Sequence, residues 1–414
     1  MKYYPRILEN SIHEYLNSPE AIFILGARQV GKTSLMKHIM KKIANERVLY
    51  LDLENPSNLS IFNKGVDEFL NYLNFQELSK IELNYIFIDE IQYAPDFSSL
   101  IKYLVDNYSD RYKLILSGSS SLQIRKKFKE SLVGRKIVFE LYPLTFSEFC
   151  LFQNEYRIAD ILQQQNPFEL NEDPLRFERE KVLHLLKEYL IYGGFPKVVL
   201  QTNKTRKIKV LQDIIQSYVM KDIRHIFHLE KIEQFNHLVK LLAAFMGKEI
   251  NISQLATETR LHKQTLEHYI NSLESSYIIK MISPFHKNLS SELRKTPKCY
   301  FIDNGLRNFL ISNFSGIEFR SDRGEILENY VFSQLLKKSN PLTKINFWRT
   351  KAKQEIDFIL QKENKLFALE VKWNTGSMQN LKKFKQTYPE ADIYLVSMLQ
   401  EFEKEERVLA GYLV

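Results

Sequence analysis

Apolar runs and apolar stripes alternate along the first part of the chain. Ala21-Ile22-Phe23-Ile24-Leu25, Val48-Leu49-Tyr50-Leu51, Tyr85-Ile86-Phe87-Ile88 and Leu114-Ile115-Leu116 are short and nearly all apolar, as strands buried on both faces must be. Between them, apolar residues recur at helical spacing. Ile7, Leu8, Ile12 and Leu16 predict a leading amphipathic helix, and Val66, Phe69, Leu70 and Leu73 a helix over 66–80. Strands alternating with helices predict an α/β unit with a parallel sheet covered on both faces. Ligands of such sheets bind beyond the strand C-termini.

The pattern then changes. Residues 151–180 are polar and predict a variable insert or a loosely packed helix. Val182, Leu185, Leu186, Tyr189 and Leu190 form a helical stripe that Gly193-Gly194-Phe195-Pro196 stops, and 205–246 reads as mostly helical. A short helix beginning near Ser253, a turn at Thr259-Arg260, a helix over 262–273 and two strands at 278–282 and 299–302 predict a winged helix-turn-helix. From Gly324 a helix with Ile326, Leu327, Tyr330, Val331 and Leu335 on one face precedes strands at 345–349, 354–360 and 366–373. A helix with Phe384 and Tyr388 follows, then a late strand at 391–396. The division expected from these shifts is 1–200, 201–323 and 324–414.

The first strand runs into Gly26-Ala27-Arg28-Gln29-Val30-Gly31-Lys32-Thr33-Ser34. Strand, glycine-rich turn and helix N-terminus together make a phosphate-binding loop. Gly26 and Gly31 can take backbone angles that let successive N–H groups curl around a β-phosphate. Lys32 would reach the β- and γ-phosphates of ATP, and the Thr33 hydroxyl would hold Mg²⁺. The third apolar run ends in Asp89-Glu90. That places Asp89 beside the Mg²⁺ shell and Glu90 where it can polarise the attacking water. Ser117 and Ser119, after the fourth run, are candidates to orient water or the γ-phosphate.

The order of the P-loop with Arg28-Gln29, Asp89-Glu90-Ile91-Gln92, Gly118-Ser119, Gly134-Arg135, Leu141-Tyr142-Pro143-Leu144 and Tyr192-Gly193-Gly194-Phe195-Pro196 resembles the AAA-type ATPases of bacteria and archaea that carry a C-terminal domain of unknown function. The likeness spans nearly the whole chain. It implies a P-loop NTPase domain of AAA type, ATP hydrolysis, and Arg135 as a sensor or finger for the γ-phosphate. Arg125 competes for that role, and a surface salt bridge is the plain alternative for either.

In 414 residues there are 58 Lys+Arg against 50 Asp+Glu, a formal charge of +8. Residues 201–300 hold 16 Lys+Arg against 9 Asp+Glu, so most of the excess lies in one block. A local excess of this kind points to nucleic acid. DNA is the expected partner, with Arg260, Lys263 and Lys295 on phosphates, although such a module can equally pack on protein. Two cysteines, Cys150 and Cys299, make neither a disulfide framework nor a metal cluster. No apolar stretch reaches about 18 residues, and nothing at the N-terminus reads as a signal peptide. A cytoplasmic protein without a membrane partner is expected, with a homo-oligomer open to it.

The tail carries Asp357, twelve intervening residues, then Glu370-x-Lys372. Residues 370 and 372 share one face of a strand. Asp357 adds a carboxylate from the neighbouring strand, and Glu328 a third from the helix. Such oxygens suit Mg²⁺ or Mn²⁺, and the lysine could steady charge on a phosphodiester. The pattern resembles the restriction-endonuclease-like PD-(D/E)xK core, an α/β domain. Two functions follow as expectations: an ATP-hydrolysing protein acting on DNA with a metal-dependent nuclease tail, or a nucleotide-switched interaction protein whose nuclease-like domain does no chemistry.

Overall fold

The computed structural model describes residues 3–414 except 44–46, 77, 80, 95, 120–131, 218–230, 286–295, 351, 353, 363–364, 375–376, 402 and 404–406. Two compact units divide at Tyr142/Pro143, well before residue 200.

The first unit is built on a five-stranded sheet in the order β2-β3-β4-β1-β5, from β1 (Ala21–Gly26), β2 (Val48–Asp52), β3 (Asn84–Asp89), β4 (Tyr112–Gly118) and β5 (Lys136–Leu141). Every pairing is parallel. The interior strands β1, β3 and β4 are buried along their whole length, while the edges β2 and β5 are half-exposed. That contrast is why the interior strands read as unbroken apolar runs. The helix Phe97–Tyr108 buries Phe97, Leu100, Ile101 and Leu104 on one stripe. The leading helix is short, Leu8–His13, with Leu16 buried in the turns after it. The helix expected over 66–80 stops at Phe75, because Gln76 is extended. Leu25 lies beside Gly118 and Gly26 beside Leu141, so the loops after β1, β3 and β4 leave from one edge.

The second unit opens with Phe146–Phe152, capped by a reciprocal Thr145/Glu148 box. Helices Tyr156–Gln164, Arg179–Tyr192, Lys204–Ser217 and Ile232–Ala244 follow. Two further helices, Ile252–Thr259 and Lys263–Ser275, are joined by a tight turn in which Arg260 is left-handed (φ 55°). The first is capped by the Asn251 side chain, which accepts from Ser253 and Gln254 N–H, so the helix begins just before Ser253. Leu266, Ile270 and Leu273 are buried as their spacing predicts. Strands β6 (Ile279–Ile282) and β7 (Lys298–Phe301) form a two-stranded antiparallel sheet.

The helix Arg323–Lys338 leads into a second five-stranded sheet, ordered β12-β11-β10-β9-β8. Its strands are β8 (Lys344–Arg349), β9 (Glu355–Lys362), β10 (Lys365–Lys372), β11 (Asp392–Ser397) and β12 (Val408–Ala410). β8, β9 and β10 pair antiparallel, and β10, β11 and β12 parallel, with helix Gln379–Thr387 crossing between β10 and β11. Trp348, Ile359, Ala368, Leu381, Phe384 and Leu395 belong to the core under that helix. The polar 151–180 stretch is anchored here. Phe168 stacks on Phe367 at 4.7 Å and meets Tyr394 at 5.1 Å, and the Tyr394 hydroxyl donates to the Phe168 carbonyl at 3.1 Å.

Candidate functional site

At the C-terminal edge of the first sheet the phosphate-loop residues meet the two carboxylates. Gly26 is compelled by close approach, since a Cβ there would lie 2.1 Å from the Leu141 carbonyl oxygen. Gly31, at φ 101°, starts the helix Lys32–Met40 from the left-handed region, which L side chains rarely enter. Ala27 and Val30 are buried, Arg28 and Thr33 half-buried, and Gln29 and Ser34 exposed. Lys32, 5% exposed, donates from Nζ to the carbonyls of Gly26 (3.1 Å) and Ala27 (2.8 Å). Its ammonium is thus held by backbone oxygens of its own loop. Arg6 braces the loop from the N-terminal segment, donating to the Val30 carbonyl at 2.8 Å and to the Tyr142 carbonyl at 2.8 Å.

Asp89 is the hub. Its Oδ2 accepts from the Thr33 hydroxyl at 2.6 Å and the Tyr50 hydroxyl at 2.9 Å; its Oδ1 accepts from Ser117 Oγ and from Glu90 N–H at 3.1 Å. Burial and then the Asp89 charge push the Tyr50 hydroxyl well above its ordinary range, so Tyr50 acts only as a neutral donor. Thr33 and Asp89 are therefore neighbours, as a shared cation would require. Glu90 sits in a left-handed backbone conformation (φ 57°, ψ 48°), unusual for a residue with a side chain. Gln92, to which the sequence assigned no role, joins the pieces. Its Nε2 donates to Glu90 Oε2 and, at 2.9 Å, to Ser119 Oγ, while its Oε1 accepts from Ser119 N–H at 3.2 Å. Its place in the Asp89-Glu90-Ile91-Gln92 motif, three residues after the strand ends at Asp89, is its trace in the sequence.

Arg135 is not brought to this loop. It precedes β5, and its carbonyl accepts from the N–H of Ala21, where β1 begins. The loop leaves β1 at the other end, about 16–20 Å away for a strand of this length. Its guanidinium donates to Asp106 Oδ1 at 2.5 Å on the surface. Within one chain the structure does not bring Arg135 to the phosphate loop, because the residue lies at the opposite edge of the sheet. Arg125 lies outside the described residues.

In the second unit Arg260 and Lys263 are both exposed, at the turn and at the start of Lys263–Ser275. Exposed Glu258 and Glu267 share that surface, so its charge is mixed. Lys295 lies outside the described residues.

The tail carboxylates do come together. Asp357 Oδ2 accepts from Val371 N–H at 2.7 Å, and Glu370 Oε1 pairs with Lys372 Nζ at 2.7 Å. Glu328 Oε1 accepts from the Tyr300 hydroxyl at 2.5 Å. Lys298 Nζ lies 2.5 Å from Glu355 Oε1 and 3.6 Å from Glu328 Oε1. Burial, followed by the charge of Asp357, pushes both Glu328 and Glu370 up to about 7. Burial also raises Asp357, against the pull of Lys372 and Lys298. Lys298 stays charged: burial opposes its ammonium, but Glu328, Asp357 and Glu355 outweigh that and raise its pKa. Among the described residues no group of three or more His, Cys, Asp or Glu is arranged to hold a metal. The structure does not bring Glu328, Asp357 and Glu370 together as one metal centre: Glu328 Oε1 is engaged by Tyr300 and Lys298, Asp357 Oδ2 by the Val371 N–H, and Glu370 Oε1 by Lys372. Lys298 and Glu355 were missed. Lys298 and Tyr300 share a strand face opposite Cys299 and Phe301, a weak signal that was present.

No helix among the described residues is long and apolar enough to cross a membrane. Residues 18–150 match the family model described as AAA domain, 183–316 a domain of unknown function (DUF8612), and 323–411 another (DUF4143). An uncharacterized protein of Haemophilus influenzae is 26% identical over 400 residues, covering 92% of this chain and 91% of that one. One from Methanocaldococcus jannaschii is 26% identical over 347 residues, 83% and 72% of the two chains. Among solved structures, the Walker-type ATPase of Pyrococcus abyssi is 15% identical, with 75% and 96% coverage and a TM-score of 0.48.

Proposed function

We propose that this chain, whose residues 18–150 match the AAA domain model, binds and hydrolyses Mg²⁺-ATP and uses that cycle to switch an interaction made by its second unit. The observation that carries the reading is the convergence of Lys32, Thr33, Asp89, Glu90, Gln92 and Ser119 at one sheet edge. The Thr33 hydroxyl and the Asp89 carboxylate, 2.6 Å apart, are the residues that would hold Mg²⁺, which when bound offsets charge on the phosphates. Lys32 would exchange the Gly26 and Ala27 carbonyls for phosphate oxygens. Glu90 would take the proton of the attacking water, with Gln92 fixing its carboxylate.

For the second unit, the helix pair with β6 and β7 is read as a winged helix-turn-helix and the tail as a restriction-endonuclease-like domain without catalysis. DNA is the favoured partner, on the exposed Arg260 and Lys263 and the basic block around them. A second reading, metal-dependent cleavage by Asp357, Glu370 and Lys372, has one observation behind it. Glu370 Oε2 is buried and has no hydrogen-bond partner among the described residues. The deciding experiment measures ATP turnover, duplex-DNA binding and DNA cleavage on one nuclease-free preparation. Turnover, with DNA affinity that differs between the ATP and ADP states and no cleavage in Mg²⁺ or Mn²⁺, supports the switch. Cleavage that Asp357→Asn abolishes replaces it with the nuclease.

A further inference from the structure

A divalent cation needs several oxygens turned toward one point at about 2.0–2.6 Å from it. Among the described residues no three carboxylates are arranged in that way, and the tail carboxylates face other partners. Glu355 and Glu328 face the Lys298 ammonium, Glu370 Oε1 faces the Lys372 ammonium, and Asp357 Oδ2 faces the Val371 N–H. These residues therefore do not fit the metal that a restriction-endonuclease-like fold implies. Lys298 is 3% exposed. Burying an ammonium costs several kcal/mol unless it is paired and its donors are satisfied, so a lysine at this depth is placed by the acidic groups it faces. It comes from β7, outside the 323–411 segment that carries Asp357 and Glu370. Tyr300, two residues along the same strand, donates to the same Glu328 oxygen. β7 thus delivers both an ammonium and a hydroxyl to that carboxylate.

We propose that Lys298 is the resident cation of this carboxylate cluster, and that it keeps the C-terminal domain from binding a divalent metal. The inference rests on, and deepens, the reading of that domain as non-catalytic. An ammonium supplies one positive charge and three hydrogen bonds. It has no open coordination position, so it cannot lower the pKa of a bound water or polarise a phosphoryl oxygen. The cluster is satisfied electrostatically and left without the means of hydrolysis. Glu370 Oε2 is buried without a hydrogen-bond partner among the described residues, and a single such oxygen does not hold a metal.

The test titrates Mn²⁺ into the full-length chain without nucleotide, following free Mn²⁺ by electron paramagnetic resonance and the melting temperature in parallel. Wild type should show no Asp357-dependent Mn²⁺ binding up to about 1 mM, the weak end of protein cation sites. Lys298→Met should gain a Mn²⁺ site and a Mn²⁺-dependent rise in melting temperature. Both should vanish when Asp357→Asn is added. Lys298→Gln serves as the second variant if the methionine variant does not fold. Mn²⁺ bound by wild type and lost in Asp357→Asn overturns the proposal, and so does a folded Lys298 variant that stays silent. DNA cleavage, scored separately, distinguishes the two ideas. Binding without cutting sinks only the role of Lys298, whereas Asp357-dependent cutting sinks the non-catalytic reading itself.

Discussion

Gln92 ties the Glu90 carboxylate to the Ser119 hydroxyl through one side-chain amide. Lys32, Thr33 and Asp89 were legible because their chemistry depends on spacing within a short motif at a strand end. The role of Gln92 depends on Ser119, which lies after β4, and β4 neighbours β3 only through the strand order. No local pattern encodes that adjacency. Gln92→Ala should lower ATP turnover about tenfold, less than the roughly 10²–10⁴-fold contribution of the general base it positions, while nucleotide affinity changes less than about threefold. A loss of affinity equal to the loss of rate would show that Gln92 merely supports the loop. Glu90→Gln should retain ATP with most turnover gone, and turnover equal to wild type would remove Glu90 from the reaction. Lys32→Ala should abolish tight ATP binding in an equilibrium nucleotide assay, because its ammonium, which lies on the Gly26 and Ala27 carbonyls, is the charge that would reach the β- and γ-phosphates. Binding left intact would mean that Lys32 stays on those carbonyls.

At the scale of elements, periodicity located the strands and most helices, and it failed where packing depends on partners remote in sequence. Gly193-Gly194 reads as a helix stop, which it is, but its stricter task is to admit another element. Asp303 Oδ2 accepts from Gly194 N–H at 2.7 Å, and its Oδ1 accepts from Leu306 N–H at 3.2 Å, capping the helix Asn304–Leu310. A Cβ on Gly305 would lie 2.1 Å from the Tyr192 carbonyl oxygen, whereas one on Gly134 would meet nothing within 4 Å among the described residues. Both glycines sit in the sequence without anything to distinguish them. Gly305→Ala must push apart the ends of two buried helices, which should cost about 1–3 kcal/mol or more. Gly134→Ala bears only the strain of a left-handed residue (φ 75°), about 1–2 kcal/mol. Thermal melts of the two variants check the order, and equal melting temperatures would show that the Tyr192 carbonyl yields freely. The 151–180 stretch teaches the same lesson, since Phe168 among polar neighbours fixes it to Phe367 and Tyr394.

Over the whole molecule, charge distribution was legible and the meaning of individual charges was not. Arg135 stands on the edge of the sheet remote from its own phosphate loop, in an exposed pair with Asp106 that should itself contribute little to stability. Its removal can affect ATP turnover directly only through a second copy of the chain. The basic block is the stronger whole-molecule signal, because residues 201–300 hold 16 Lys+Arg against 9 Asp+Glu and two of those cations, Arg260 and Lys263, are exposed at one turn. Each phosphate contact on duplex DNA releases condensed counterions and contributes about 0.9 to the slope of log affinity against log salt. Arg260→Ala with Lys263→Ala should therefore weaken binding and reduce that slope by about 1.8, evenly across sequences, because phosphates carry no base identity. Replacing Glu258 and Glu267 by Gln should act the other way, since those carboxylates share the surface and oppose the approach of phosphate. Titration over a range of salt with two unrelated duplexes separates the cases. A slope left unchanged in the double variant, with binding intact, would place the nucleic acid elsewhere and leave this turn to a protein partner.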